Sequence, residues 1–412
     1  VAAAQKSSAA RVPPFLFALA LGVAAWIVLD SFATAPHDAR GDGRFYLFYM
    51  QSVHDGGLSV FPSLFEHWNG DPQSWIFPPP SRVGFIVVSA LWAGMFGTTL
   101  VALQYLSIAA HFSSSIANYL FARRHFGEPR AAFIGALWLF SPLLLGISRL
   151  ALTDSLIALC MSVTAWLFFE LVENPATRRA RIAFMATFAF TVLVKELAVL
   201  LVVPFAAFVL IEKYWRREPI DLAKIALAFI VPGLVTLPIF VLAAGGFPTL
   251  FETTRIVLSS PATNPYAVKF GSGPWFRYVL DFLCLSPWTT LLATAYFGLW
   301  ATRLRRGEYD RRLVYLALLV IALVFEYSFF TKNVRYAVLL ELPLRVFAAL
   351  MLHEIFKSAS QRKTSILCGI AVASLCFIDA RAFDLYWVRD RGYDPVTYLL
   401  LGSRQMIPYA PK

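Results

Sequence analysis

The 412-residue chain is 58% hydrophobic, with a mean hydropathy of +0.64 and a formal net charge of +11. A chain this apolar cannot hide its nonpolar residues in one water-soluble core, so a soluble globular protein is excluded in favour of the polytopic membrane class. The basic excess does not point to nucleic acid, because the apolar runs leave no continuous soluble face for a basic stripe.

Residues 13 to 33 form the first apolar run, behind Lys6 and Arg11. The run has the length of a span and no small-x-small cleavage pattern at its end. It is therefore read as a retained anchor with its amino end cytoplasmic, against the competing signal peptide. The polar stretch 36 to 82 follows, with five carboxylates, three of the six histidines and three arginines. Charge at this density beside a bilayer marks a polar reaction site at the membrane surface. Residues 82 to 97 are apolar, short for a crossing, and end at Gly97. If they crossed, Arg123-Arg124 and the later basic clusters would fall outside. They are read as a re-entrant or interfacial helix that completes a first periplasmic loop over 36 to 97.

Further spans are expected at about 98–122, 129–147, 151–173, 180–195, 196–213, 223–244, 286–302, 312–331, 335–355 and 364–382. The fold class is thus all-α, a single transmembrane domain with about eleven helices. The basic surplus then lies on one side, in loops carrying Arg123 and Arg124, Arg178, Arg179 and Arg181, and Arg216 and Arg217. A second periplasmic loop, 245 to 285, is too rich in glycine and proline for one regular element. Its aromatics Tyr266, Phe270, Trp275, Phe276 and Tyr278 suit headgroup anchoring or a lid over a lipid. Residues 383 to 412 are expected to form a periplasmic tail. The four cysteines, Cys160, Cys284, Cys368 and Cys376, have neither metal nor disulfide spacing and read as small core residues.

Charges recur at the expected outer level of several spans. Ser148-Arg149 to Asp154 is one such tip, Lys195-Glu196 a second, and Lys332-Asn-Val-Arg335-Tyr336 a third. Glu196 could equally cap a short turn, and Arg335-Tyr336 could anchor a helix end at the headgroups. Glu341 and Arg345, four apart, read as an internal ion pair, Glu326 and Asp379 stay open, and His111, His125 and His353 read as packing or surface residues. A carboxylate at the water boundary can take a proton from an attacking hydroxyl while arginine and lysine hold a phosphate leaving group. Together these describe sugar transfer from a lipid-linked phosphate sugar.

The chain resembles the GT-C superfamily of multi-spanning glycosyltransferases that use polyprenyl-phosphate sugars, among them protein O-mannosyltransferases and lipid A aminoarabinose transferases. Asp42 and Tyr46 after the first helix carry the resemblance, with the proline-rich lead-in to 82–97, Arg123-Arg-His-Phe-Gly127, Ser148 to Asp154, Lys195-Glu196 and Lys332 to Tyr336. It implies an inverting transferase at the outer face of a bacterial inner membrane, moving a sugar to an acceptor hydroxyl on a lipid, glycan or protein. By that resemblance Asp42 and Asp154 are the catalytic carboxylates. Tyr46, Arg82, Arg149, Lys195, Glu196, Lys332, Arg335 and Tyr336 are the substrate-binding candidates. No cofactor is certain, and a divalent cation at Asp154 is possible. The family often has an acidic pair in this loop, whereas Gly43 follows Asp42. Either Asp42 acts alone, or Asp38 or Asp55 supplies the second acid, or the activity has changed. A lipid-linked sugar transporter and a noncatalytic subunit of a membrane complex are the alternatives.

Overall fold

The computed structural model describes residues 12–34, 41–175, 177–264, 267, 268, 271 and 273–389, and among these there is helix and no strand. The chain enters through α1 (Val12–Thr34). The polar stretch that follows is itself helical, as α2 (Asp42–Gly56) and α3 (Phe61–Gly70), and leads to the short apolar α4 (Val83–Phe96).

The long α5 (Leu100–Phe126) is capped by the Thr99 hydroxyl, which accepts from the Ala102 amide at 3.2 Å, and ends on Arg123, Arg124 and His125 beside the negative end of its dipole. The next expected span is broken into α6 (Glu128–Leu139) and α7 (Pro142–Ser148), bent by 54°. Pro142 opens α7 where a missing amide hydrogen costs nothing, and the Ser141 hydroxyl caps it. Then come α8 (Asp154–Glu173), α9 (Arg178–Val194), a 3-10 segment Glu196–Leu201 leading into α10 (Val202–Leu210), and α11 (Leu222–Ala243). The carboxyl half holds α12 (Phe247–Thr263), α13 (Arg277–Leu285), α14 (Pro287–Arg305) and α15 (Arg311–Tyr327). A 3-10 segment Val334–Leu340 runs into α16 (Glu341–Phe356), and α17 (Gln361–Phe383) ends in a π-helical turn, Asp384–Arg389.

Every expected span falls on helix, but by length and composition six helices are able to cross a membrane alone, or seven with the bent α6–α7 pair counted as one. α9 and α15, at 17 residues each, fall short of that length. The second loop is not one regular element and holds two helices, α12 and α13. α12 runs for 17 residues, with Pro248 in its first turn, where the amides have no intrahelical partner, and Pro261 near its end. Tyr266, Phe270 and residues 390–412 of the expected tail lie outside the described residues.

α8 is the axis of the bundle. Its most apolar stretch is 83% buried, against 22% for α1 and for α11, which present their sides outward. Polar staples fix α8 to its neighbours. Trp166 donates to Asn118 on α5 at 2.8 Å, Thr164 and Thr191 on α9 share a 2.8 Å bond, and the Tyr315 hydroxyl from α15 donates to the Ala165 carbonyl at 2.6 Å. In lipid, where apolar contact gains nothing over the solvent, such bonds and close packing hold helices together. Phe168, Phe184, Phe205 and Phe229 stack around the inner half of α8.

Candidate active site

Four elements distant in sequence deliver charged groups to the first turn of α8. Asp154 opens that helix and is buried, and both of its carboxylate oxygens are occupied, Oδ1 by Lys195 Nζ at 2.9 Å and Oδ2 by Arg335 Nη1 at 2.9 Å. Lys195 gets there because the backbone turns extended between α9 and the next 3-10 segment, with φ −157°, which ends α9 and releases the side chain. Arg335 sits in the first turn of its own 3-10 segment, whose start is fixed by the Asn333 side chain accepting from the Arg335 amide at 3.1 Å. The other arm of the guanidinium reaches Asp42 Oδ2 at 3.4 Å.

Asp42 is the first residue of α2, after Gly41 at φ +58°, and its charge faces the positive end of the helix dipole. Its side chain is 22% exposed, against 3% for Asp154, so Asp42 is the more accessible of the two carboxylates. One turn on, Tyr46 is buried against Phe85 and under the Arg82 guanidinium, 5.6 Å from its ring centre. Arg82 Nε is buried without a hydrogen-bond partner among the described residues, and the charge of Arg82 bears on Asp154, Lys195 and Tyr336. Lys195 Nζ also stands 4.6 Å over the Tyr336 ring. Among the described residues the cations Arg82, Lys195 and Arg335 gather about the carboxylates Asp42 and Asp154, an arrangement suited to an anion.

Asp42, Asp154, Lys195 and Arg335 thus meet, with Tyr46, Arg82 and Tyr336 around them. Glu196 lies at the edge, half-buried, with Oε2 lacking a hydrogen-bond partner among the described residues. Lys332 turns away and donates to the Ser328 carbonyl at 3.0 Å. Arg149 also points elsewhere. Its two arms donate to the carbonyls of Trp387 and Ser31, each at 2.8 Å, which ties the carboxyl-terminal turn to α1 beside the loop that leads into α8.

Asp55 pairs with exposed His54 at 2.8 Å near the far end of the 15-residue α2, about 20 Å of helix from Asp42, and Asp38 lies outside the described residues. A Cβ at Gly43 would meet Ala151 at 3.7 Å and Leu100 at 3.9 Å, an apolar wall rather than the charged cluster. Two contributors escape a sequence reading. Asn333 caps the Arg335 segment, and the Tyr49 hydroxyl donates to the Pro78 carbonyl at 3.0 Å, which holds the proline run that leads to Arg82. Spacing from Tyr46 was the available hint for Tyr49. No group of three or more His, Cys, Asp or Glu side chains that could hold a metal occurs among the described residues, and at Asp154 the cations fill the carboxylate.

The family model for dolichyl-phosphate-mannose-protein mannosyltransferase matches residues 84–242, less than half of the chain, and includes Asp154 and Lys195. No curated protein sequence matches. Among solved structures, ArnT from Cupriavidus metallidurans bound to undecaprenyl phosphate superposes with a TM-score of 0.59 and 18% identity, over 93% of this chain and 76% of that one. Its apo form gives 0.57 and 19%, over 92% and 66%. The Archaeoglobus fulgidus oligosaccharyltransferase with zinc and sulfate gives 0.60 and 16%, over 93% and 56%. The chain shares the fold of these solved structures, and it spans about two thirds to three quarters of the ArnT chains and just over half of the oligosaccharyltransferase. Within this fold the charged cluster draws on the matched segment for Asp154 and Lys195 and on its flanks for Asp42 and Arg335.

Proposed function

We propose that the protein is an inverting glycosyltransferase that moves a sugar from a polyprenyl-phosphate donor to an acceptor hydroxyl. The donor's lipid stays in the bilayer, and the reaction takes place at the outer, periplasmic face of a bacterial inner membrane, with eleven spans and a cytoplasmic amino end. The convergence of Asp42 on the Asp154–Lys195–Arg335 cluster carries this reading, because it sets one partly exposed carboxylate beside clustered cations.

Asp42 takes the proton of the acceptor hydroxyl as its oxygen attacks the anomeric carbon. The bond from that carbon to the phosphate oxygen breaks, and the electron pair leaves with polyprenyl phosphate, so the anomeric centre inverts. Arg82, Lys195 and Arg335 stabilise the charge that gathers on the phosphate. Asp154, saturated by two cations, acts by positioning them, with Tyr46 and Tyr336 walling the pocket. The known polyprenyl-phosphate complex of ArnT shares the fold and supports the choice of donor.

Asp42→Asn tests the assignment in a reconstituted system. Transfer is expected to fall about 10²- to 10⁴-fold while donor binding stays near wild type. Full turnover by Asp42→Asn would overturn the base assignment. Comparing lipid-linked glycans by mass spectrometry, with and without the gene, names the sugar and the acceptor together.

A further inference from the structure

A groove of about 270 Å³ opens where the α13–α14 junction meets the end of α17. Its walls are apolar, from Pro287, Ile378, Ala382 and Leu385, and its rim carries Arg381, Asp384 and Arg389. Both guanidiniums reach the same carboxylate oxygen, Arg381 Nη1 at 3.1 Å and Arg389 Nε at 2.9 Å from Asp384 Oδ2. Their side chains nonetheless remain 60% and 62% exposed, so one carboxylate serves two outward-facing arginines and the rim keeps one positive charge.

The walls are stapled from beneath. Ser286, beside Pro287, donates to Asp379 at 2.7 Å, and Asp379, beside Ile378, accepts from Arg345 at 2.6 Å. Arg149 holds the carbonyl of Trp387, within the turn whose Leu385 and Arg389 line the groove, at the same end of the bundle as Asp154. The groove is thus a fixed feature apart from the Asp42 cluster. A free anion would leave its apolar walls wet, and a neutral lipid would leave the rim charge unanswered. The geometry points to an anionic phospholipid of the surrounding leaflet, with its phosphate on the Arg381 and Arg389 forks and its first acyl carbons against Ile378, Ala382 and Leu385. This inference does not depend on sugar transfer.

The test is native mass spectrometry of protein taken from nanodiscs of mixed phosphatidylcholine and phosphatidylglycerol. Wild type is expected to retain phosphatidylglycerol in preference. Each of Arg381→Gln and Arg389→Gln should lower that retention about fivefold. Asp384→Asn, which frees both guanidiniums, should raise it, whereas a purely structural triad would lower it. Ala382→Trp, which fills the walls and spares the rim, should expel the lipid. Retention unchanged in Arg381→Gln/Arg389→Gln or in Ala382→Trp, or lowered in Asp384→Asn, would overturn the site. So would displacement of the lipid by inorganic phosphate alone, which would make it a site for the free ion. All four residues lie at least partly on the surface, so none of these changes threatens the fold.

Discussion

Two aspartates that open helices at one end of the bundle carry the same charge into different surroundings. Asp154 is committed to two buried cations, so Asp154→Ala strands both Lys195 and Arg335 and is expected to cost about 3–5 kcal/mol of stability. Asp42 stands 3.4 Å from Arg335 and is partly exposed, so Asp42→Ala should cost less, about 1 kcal/mol. Chemical unfolding of the two variants in detergent reads the difference, and equal losses would contradict the division of labour between them. Asp42, inside a charged stretch, stands out only through the family resemblance, whereas Asp154 is legible in the sequence, because a charge at the edge of an apolar run has to be explained. Arg149 is legible as an expensive charge for the same reason, but its partners are not. They are backbone carbonyls 118 and 238 residues away, to which side-chain chemistry gives no clue. Asp379 is similar, since its partner Arg345 is 34 residues distant, whereas Glu341 and Arg345 stand at helical spacing and pair at 2.7 Å as expected.

Among the elements, the approach of α4 to α9 does most to set the site. Gly84 is what permits it, because a Cβ there would lie 2.9 Å from the Leu193 carbonyl carbon and the Val194 nitrogen, both backbone atoms that cannot step aside. Gly84 is two residues after Arg82, and Leu193 two before Lys195, so the contact fixes the spacing of two of the three site cations. Gly84→Ala should therefore cost about 1–3 kcal/mol and weaken the binding of polyprenyl phosphate. Gly43→Ala, whose new methyl meets only ordinary contacts, should change neither. Calorimetric titration of both variants decides it, and wild-type affinity in Gly84→Ala would show that the spacing is set elsewhere. The helix α4 itself is readable from its apolar length and closing glycine. α2 and α3 are not, because polar and charged residues at that density have the composition of a loop. They are helical because one face of each, Tyr46, Tyr49, Met50 and Val53 on α2 and Phe61, Leu64, Phe65 and Trp68 on α3, is buried.

Across the whole molecule the two ends of α8 differ in chemistry. Glu173, about 30 Å of helix from Asp154, lies at a groove of about 350 Å³ with Arg124, His125, Asp310, Arg311 and Arg312, where arginines pair with acids: Arg124 with Glu170 at 2.7 Å, Arg311 with Glu212 at 2.8 Å and Arg312 with Asp310 at 2.6 Å. Between the ends, Arg345 is buried with Glu341 and Asp379, and Ser141 and Ser286 complete their hydrogen bonding, so α7, α14, α16 and α17 are joined at one point. Arg345→Met should cost about 3–5 kcal/mol by leaving two carboxylates in an apolar interior. Adding Glu341→Gln and Asp379→Asn to that change should restore most of the loss. Unfolding of the single and triple variants tests this, and a triple variant no better than the single would mean that Arg345 acts through its shape.

The proposed sidedness rests on the distribution of charge, with the arginine-rich loops on the cytoplasmic side and the Asp42 end outside. Cysteine labelling tests this directly, because Cys160, Cys368 and Cys376 are buried and Cys284 half-buried, which keeps the background low. Ser59→Cys, exposed between α2 and α3, should react with a membrane-impermeant maleimide on intact cells, and Arg179→Cys, exposed at the start of α9, only after permeabilisation. Reaction of both from one side would place the two ends of the bundle together and remove the outer-face assignment. Reaction of Arg179→Cys alone would invert the protein and put the carboxylate cluster on the cytoplasmic side, where a donor presented at the outer leaflet could not reach it.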